Sequence, residues 1–141
     1  MESLERIGFK GTIYLVNPKY QSIDGRKCYR SIAEIKDEID VAIFALPAPR
    51  VIECLKPVEN VRGAIIVSAG FKGVGDSGRR LEEELKEIIE RKGRRIIGPN
   101  CLGIYDTVSK MDTFFISAER VKRLKSGRIT ILTQSVSFAE M

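Results

Sequence analysis

The sequence has no histidine among its 141 residues. Within these residues, that absence excludes histidine-based acid–base catalysis, Ser-His-Asp and Cys-His nucleophiles, phosphohistidine chemistry and histidine metal ligands. Cysteine is scarce as well: Cys28, Cys54 and Cys101 are widely spaced, so no CxxC pair is present. Three separated thiols predict neither a zinc or iron–sulfur site nor a disulfide framework.

Long apolar runs are also missing. The longest, Val41–Pro47, is far shorter than the ~20 residues that span a bilayer. The first residues lack the apolar segment of a signal peptide. We therefore expect a cytoplasmic protein with no membrane partner. Gln and Asn are few beside Lys, Arg, Glu and Ile, which favours a thermophilic source.

The net charge indicates which class of ligand the protein favours. With 24 basic and 19 acidic side chains, the net charge is +5, which suits an anionic ligand. No stripe of alternating aromatic and basic residues accompanies this charge, so nucleic acid is not a predicted partner. The length and the 43% hydrophobic content predict a globular core.

Short apolar runs recur along the chain and predict the strands of a parallel sheet. They are continuous rather than alternating, as in strands that are covered on both faces. The five predicted strands are Thr12–Val16, Val41–Leu46, Ala64–Val67, Arg95–Ile97 and Ile129–Leu132.

Helical patterns lie between the predicted strands. Ser31–Glu34 has the pattern of a capping box, and the apolar stripe that follows it reaches Ile39. Further helices are predicted at Pro49–Lys56, Asp76–Lys92 and, more weakly, Ser117–Leu124. Alternating strands and helices of this spacing predict an α/β fold with a doubly wound parallel sheet.

Small, polar or backbone-shaping residues follow each predicted strand. In open α/β sheets, ligands bind in a crevice outside the carboxyl ends of the strands. Five such segments at one sheet edge therefore indicate a binding crevice. A dinucleotide-binding G-x-G-x-x-G does not follow any of these strands, because Gly70, Gly73, Gly75 and Gly78 have another spacing.

The chain resembles a known family. Four segments carry the resemblance: Val16–Tyr20 with Gly25 and Tyr29, then Leu46–Ala48, then Ile66–Phe71, and above all Gly98–Gly103. They are similar to the CoA-binding domain of NDP-forming acyl-CoA synthetases, the superfamily of succinyl-CoA synthetase α subunits and ADP-forming acetyl-CoA synthetases.

The resemblance implies a Rossmann-like domain over residues 1–126, and the opening strand and turn of a succinyl-CoA-ligase-like domain over residues 127–141. It also implies coenzyme A as the ligand. It assigns the nucleotide end of CoA to Asn17, Pro18 and Lys19, the border of the adenine to Leu46, Pro47 and Ala48, the pantetheine arm to Ser68, Ala69, Gly70 and Phe71, and the thiol end to Asn100 and Cys101.

The sequence departs from the family pattern in two places that matter for the site. The family's first strand and its glycine-rich phosphate turn have no counterpart, and that strand would be central in the order 3-2-1-4-5. We expect the gap to be filled by Arg128–Thr133, or by a strand from a partner chain in a homo-oligomer. Val136 follows Ser135 where the family has glycine, so a phosphate turn is not expected there.

The resemblance implies the CoA-binding part of an ADP- or NDP-forming acyl-CoA synthetase α subunit. The parent reaction is acyl-CoA + NDP + phosphate ⇌ acid + CoA + NTP. Its catalytic histidine has no counterpart here, so the isolated chain is expected to be inactive without the catalytic and ATP-grasp domains or subunit. The alternative is a stand-alone, non-catalytic CoA-binding or regulatory module, or a degenerate fragment.

Overall fold

The computed structural model describes residues 1–133. Its elements, in chain order, are α1 (Glu2–Ile7), β1 (Leu15–Val16), β2 (Ser22–Ile23), β3 (Arg26–Tyr29), β4 (Ile39–Phe44), α2 (Ala48–Leu55), β5 (Val61–Ile66), α3 (Asp76–Lys92), β6 (Arg95–Ile97), β7 (Tyr105–Asp106) and β8 (Met111–Asp112). The chain divides into two compact units. The large unit is Thr12–Asn100, and the small unit joins Met1–Gly11 to the residues from Cys101 onward.

A parallel three-stranded sheet in the order β4-β5-β6 is the centre of the large unit. Its register aligns Ile43 with Ile65 and Ile65 with Ile97. The central strand, β5, is the most deeply buried, with Ile65 and Ile66 almost inaccessible to solvent. Burying such a side chain contributes about 1.5–3 kcal/mol, which explains why the continuous apolar run lies in the middle of the sheet.

Two helices cover one face of this sheet and connect its strands. Helix α2 follows β4 and buries Val51, Ile52 and Leu55. Helix α3 follows β5, and its Leu85 and Ile88 join the same core. This is a Rossmann-like α/β arrangement, as predicted. None of the helices within residues 1–133 has the length and apolar character needed to cross a bilayer.

A second, smaller sheet lies in the same unit. Strand β1 pairs in parallel with β3, and β3 pairs in antiparallel fashion with β2. The turn between β2 and β3 is formed by Asp24 and Gly25, which both have positive φ. The five predicted strands do not include this hairpin, although an Asp-Gly pair is the usual signal of a tight hairpin turn.

The large unit thus holds two separate three-stranded sheets, as expected if a central strand is missing. Within residues 1–133, β1 pairs with β3 and β4 pairs with β5, and no strand joins the two sheets. A hydrogen bond from the Tyr14 hydroxyl to the Asp37 carboxylate links the segments that lead into β1 and β4. Each sheet therefore has a strand edge that lacks a neighbour in the described chain.

The expectation that Arg128–Thr133 fills this gap is wrong, and so is the predicted strand at Ile129–Leu132. These residues form no strand, and the side chains of Ile129, Ile131 and Leu132 are 86%, 64% and 98% exposed. The β-branched composition suits a strand, but pairing and burial decide whether one forms. The predicted turn residues Gln134, Ser135 and Val136 lie outside the described residues.

Two predicted helices are also wrong. The segment after Ser31 forms only a 3₁₀ turn, Ile32–Glu34. The side-chain amide of Asn60 donates hydrogen bonds to the carbonyl oxygens of Ile35 and Asp37 at 2.9 and 2.7 Å, so these oxygens do not accept the hydrogen bonds of a continuing helix. The second is Ser117–Leu124, which forms a single turn. Backbone carbonyl oxygens of this region accept hydrogen bonds from a guanidinium group.

That guanidinium belongs to Arg123 in the small unit. It donates to the Asp112 carboxylate at 2.8 Å and to the carbonyl oxygens of Ile116 and Val121, also at 2.8 Å. It also lies over the ring of Phe114. Because the chain supplies these carbonyl oxygens to one side chain, the segment does not continue as a helix.

Candidate functional site

The residues that follow β4 and β5 lie against each other. A Cβ atom built on Gly70 would be 3.4 Å from the Cβ of Ala48. Ala48 itself is buried at the start of α2. The carbonyl of Pro47 accepts the N–H groups of Arg50 and Val51, so the segment Leu46–Ala48 is fixed by the first turn of that helix. Leu46 remains partly exposed at 38%.

The residues that follow β6 join the same group. The backbone N–H of Asn100 donates to the carbonyl oxygen of Ser68 at 3.0 Å. Asn100 has a φ of 57°, the left-handed conformation that asparagine tolerates better than other side chains. Its own side chain is exposed. The three segments after β4, β5 and β6 therefore form one continuous cluster at the carboxyl edge of the parallel sheet.

The segment Asn17–Lys19 follows β1 in the other sheet. Its backbone is fixed by the Asn17 N–H, which donates to the Tyr29 carbonyl at 2.8 Å. The Asn17 side chain accepts the N–H of Lys19 at 2.9 Å and forms a tight polar turn. The Lys19 side chain is exposed and available to an anionic ligand. The described contacts do not join this segment to the cluster after β4, β5 and β6.

The side chains of Phe71 and Ala48 lie in the core beneath the candidate site and not on its surface. Both are 3% exposed and pack in the main core of the large unit. Their side chains therefore position the loops, and the atoms that a ligand could reach are those of Ser68, Ala69 and Gly70. The sequence prediction did not separate these two roles, because burial depends on which side of the loop faces the helices.

Cys101 belongs to the small unit, whereas the three segments after β4, β5 and β6 belong to the large unit. Burial raises the pKa of its thiol, and backbone hydrogen bonds at Gly103 and at Cys101 itself oppose this shift. A raised pKa disfavours the thiolate that a nucleophile requires. The half-buried Cys101 thiol therefore does not have the properties of a nucleophile, and its assignment to the thiol end of CoA stays a prediction.

Glu82 makes a contact with the loop after β5 that the sequence pattern does not predict. Glu82 lies in α3 within a run of three glutamates, a pattern that is typical of a solvated helix face. Its side chain is only 21% exposed and accepts the backbone N–H of Lys72 at 3.2 Å. The hydrogen bond from Lys86 is the main cause that lowers the pKa of this carboxyl group, and the Lys72 N–H adds to it.

These features define a class of protein: a Rossmann-like α/β unit, in which ligands typically bind outside the carboxyl ends of the parallel strands. The family model described as a CoA-binding domain matches residues 1–107. The chain belongs to this CoA-binding domain family.

Curated relatives agree with this membership. The chain is 44% identical, over 132 residues, to acetate–CoA ligase [ADP-forming] I of Archaeoglobus fulgidus, covering 92% of this chain and 19% of that enzyme. It is 39% identical, over 129 residues, to the α subunit of acetate–CoA ligase [ADP-forming] II of Pyrococcus furiosus, covering 89% of this chain and 27% of that subunit. The chain thus spans 19% and 27% of the lengths of these two relatives.

A solved structure shows the same fold. The dinucleotide-forming acetyl-coenzyme A synthetase 1 of Candidatus Korarchaeum cryptofilum, in complex with phosphate and ADP, matches with a TM-score of 0.73 at 32% sequence identity. The match covers 81% of this chain and 25% of that structure. The similarity is therefore to one part of a larger ligase.

Proposed function

We propose that the large unit binds coenzyme A in the crevice at the carboxyl ends of β1, β4, β5 and β6. One observation carries this proposal. The segments after β4, β5 and β6 are held together by the close approach of Gly70 to Ala48 and by the hydrogen bond from Asn100 to Ser68, in a chain that belongs to the CoA-binding domain family.

The chemistry of the crevice suits CoA, which is long, carries several negative charges and ends in a neutral arm. Lys19, exposed beside Asn17 and Pro18, supplies a cation for the nucleotide end. Leu46 with Pro47 offers an apolar border for the adenine. The backbone of Ser68, Ala69 and Gly70 borders the pantetheine arm, and Asn100 lies toward the thiol end.

In a complete enzyme, this chain would be the CoA-binding part of an ADP-forming acyl-CoA synthetase. The names of the relatives support this role, and so does the small share of each relative that the chain covers. The 141 residues contain no histidine, so a phosphohistidine relay and an ATP-grasp domain would be supplied by other segments or by another subunit. We expect no ligase activity from these residues alone.

The lack of histidine equally favours a second candidate function, a non-catalytic module that binds CoA for regulation. The two candidates differ in one measurable respect. Addition of the catalytic and ATP-grasp parts of a related ligase restores acyl-CoA synthesis if the chain is a CoA-binding part of an enzyme. CoA binding without such restoration supports the regulatory module.

A partner chain that adds a strand between β1 and β4 is part of this proposal. Both strands have an edge without a neighbour in the described residues, and such edges accept an extended segment from another chain. A homo-oligomer is the simplest source. Sedimentation analysis of the purified chain tests it: a dimer or larger species supports the proposal, and a monomer at all concentrations contradicts it.

Calorimetric titration with CoA, with NAD as the control ligand, tests the proposed function. We expect micromolar affinity for CoA and no response to NAD. Lys19→Ala should weaken CoA binding about two- to five-fold, as expected for an exposed ion contact, and added salt should reduce the difference. Lys36→Ala is the matched control, since Lys36 is an exposed lysine at the opposite, amino end of β4. A folded chain that does not bind CoA would refute the proposal.

A further inference from the structure

Helix α3 packs closely against the loop that follows β5. At Gly78, in its first turn, an added Cβ would be only 1.9 Å from the carbonyl oxygen of Phe71. Only glycine allows the helix backbone to approach so closely. The same carbonyl oxygen accepts the N–H of Val74 at 3.0 Å. The loop is therefore held at Phe71 by contacts to the helix and to its own next turn.

Glu82 extends this contact by one residue of the loop. It lies four residues after Gly78 and so on the same face of α3. Its Oε2 atom accepts the backbone N–H of Lys72 at 3.2 Å. Its Oε1 atom lies 3.2 Å from the Lys86 ammonium. The two carboxylate oxygens thus have separate partners, so the ion pair and the hydrogen bond to the loop can be removed one at a time.

The other end of the loop is anchored as well. The carbonyl oxygen of Ser68 accepts the Asn100 N–H at 3.0 Å. Between this anchor and Lys72 lie Ala69, Gly70 and Phe71, and Gly70 has a φ of 104°. A short segment with a fixed start and a fixed end keeps its unusual conformation, whereas release of one end would let it sample others.

We propose that Glu82 is a positioning residue for the CoA-binding loop Ser68–Lys72. It acts through the N–H of Lys72 and does not touch the ligand. The proposal rests on the proposed function, because it names the element that gives the CoA site its shape. Fixing the loop in its bound conformation lowers the ordering cost of binding.

Three variants separate this role from a general effect on the helix. Glu82→Ala removes the acceptor of the Lys72 N–H. Glu82→Gln keeps a side-chain oxygen that can accept it. Lys86→Ala removes the ion pair and leaves the Glu82–Lys72 hydrogen bond in place. Glu83→Ala is the matched control, since Glu83 is the adjacent, exposed glutamate of the same helix.

Two measurements are made on each variant: CoA affinity by calorimetry and hydrogen exchange of the Lys72 amide. Loss of one hydrogen bond predicts about 3- to 10-fold weaker CoA binding and faster exchange for Glu82→Ala. Glu82→Gln should recover most of both, and Glu83→Ala should match the unmodified chain. Lys86→Ala should have a smaller effect than Glu82→Ala.

The outcomes distinguish the inference from the function on which it rests. If the unmodified chain does not bind CoA, the proposed function fails and this role in binding fails with it. If it binds CoA but Glu82→Ala binds equally well, the inference alone is overturned. The same holds if Lys86→Ala weakens binding as much as Glu82→Ala, because the ion pair would then explain the effect. If Glu82→Ala fails to fold, Glu82→Met, which keeps the length of the side chain but lacks the carboxylate acceptor, replaces it in the same comparison.

Discussion

Gly70 and Ala48 pack against each other across the ends of β5 and β4, with 3.4 Å between the Ala48 Cβ and the position of a Cβ on Gly70. Gly70 also has a φ of 104°, which is unfavourable for any residue with a side chain. The two loops that we assign to the CoA crevice therefore meet at Gly70, a position whose backbone conformation favours glycine.

Gly70→Ala should destabilise the large unit by about 1–3 kcal/mol, the usual cost of a non-glycine residue in such a conformation. It should also weaken CoA binding, because relief of the strain displaces the Ser68–Phe71 backbone. Thermal unfolding and calorimetric titration measure the two effects. Gly73→Ala is the control: an added Cβ there meets no atom within 4 Å, and its φ is not positive. Equal behaviour of the two variants would contradict the role given to Gly70.

Asn100 allows the side chain and the backbone to be tested separately. Asn100→Gly keeps the left-handed φ of 57° without strain but removes the amide. Asn100→Ala removes the amide and adds a conformational cost of about 1–2 kcal/mol. If the amide contacts CoA, both variants should weaken binding, and only Asn100→Ala should lower the melting temperature. Unchanged affinity in Asn100→Gly would show that only the backbone of Asn100 contributes.

Local patterns predicted those parts of the fold where local and tertiary preferences agree. Helix α3 has the predicted bounds, Asp76–Lys92, because its apolar stripe meets the sheet and Gly93 ends it in the left-handed conformation. Strand β6 also has its predicted bounds, Arg95–Ile97. Parallel topology alone predicts a binding crevice at the carboxyl edge of the sheet, and that part of the site stays a prediction.

The predictions failed where distant residues decide the structure. The segment after Ser31 is a 3₁₀ turn because Asn60, far along the chain, takes its carbonyl oxygens. The contact of Glu82 with Lys72 depends on how α3 lies against the loop, and a run of three glutamates gives no sign of which one turns inward. The signal that was available is Gly78, a glycine in the first turn of a helix, which indicates close packing.

The bond between Tyr14 and Asp37 predicts a response to alkaline pH. The carboxylate of Asp37 accepts the Tyr14 hydroxyl, and this hydrogen bond is the main cause that raises the pKa of Tyr14 above its ordinary value. A raised pKa means that the folded chain holds the proton more tightly than the unfolded chain. The stabilisation is therefore fully present below about pH 10 and is lost as the pH rises through the folded pKa.

Tyr14→Phe removes the titrating group and should remove this pH dependence. We expect the stability of the unmodified chain to fall more steeply above pH 10 than that of the variant, as measured by urea unfolding at a series of pH values. Tyr20→Phe is the control, since Tyr20 is 55% exposed. Parallel curves for the unmodified chain and Tyr14→Phe would show that the bond does not contribute to stability.

Within the small unit, we expect the largest loss of stability from a substitution that breaks the ion pair between Arg123 and Asp112. The two side chains are 12% and 4% exposed and lie 2.8 Å apart. Asp112 also accepts the N–H of Phe114 at 3.2 Å, so its carboxylate cannot turn to solvent without breaking a second bond. Arg123→Ala should destabilise the fold by about 3–5 kcal/mol, because it leaves a buried carboxylate without its partner.

Urea unfolding of Arg123→Ala, Asp112→Ala and the double variant measures this effect. The double variant should lose less stability than the sum of the two single variants, because the second substitution removes the charge that the first leaves unpaired. Lys122→Ala, at the exposed neighbouring position, should change stability by less than about 0.5 kcal/mol. Simple additivity of the two single variants would mean that packing of Arg123 on Phe114, rather than its pairing with Asp112, accounts for the loss.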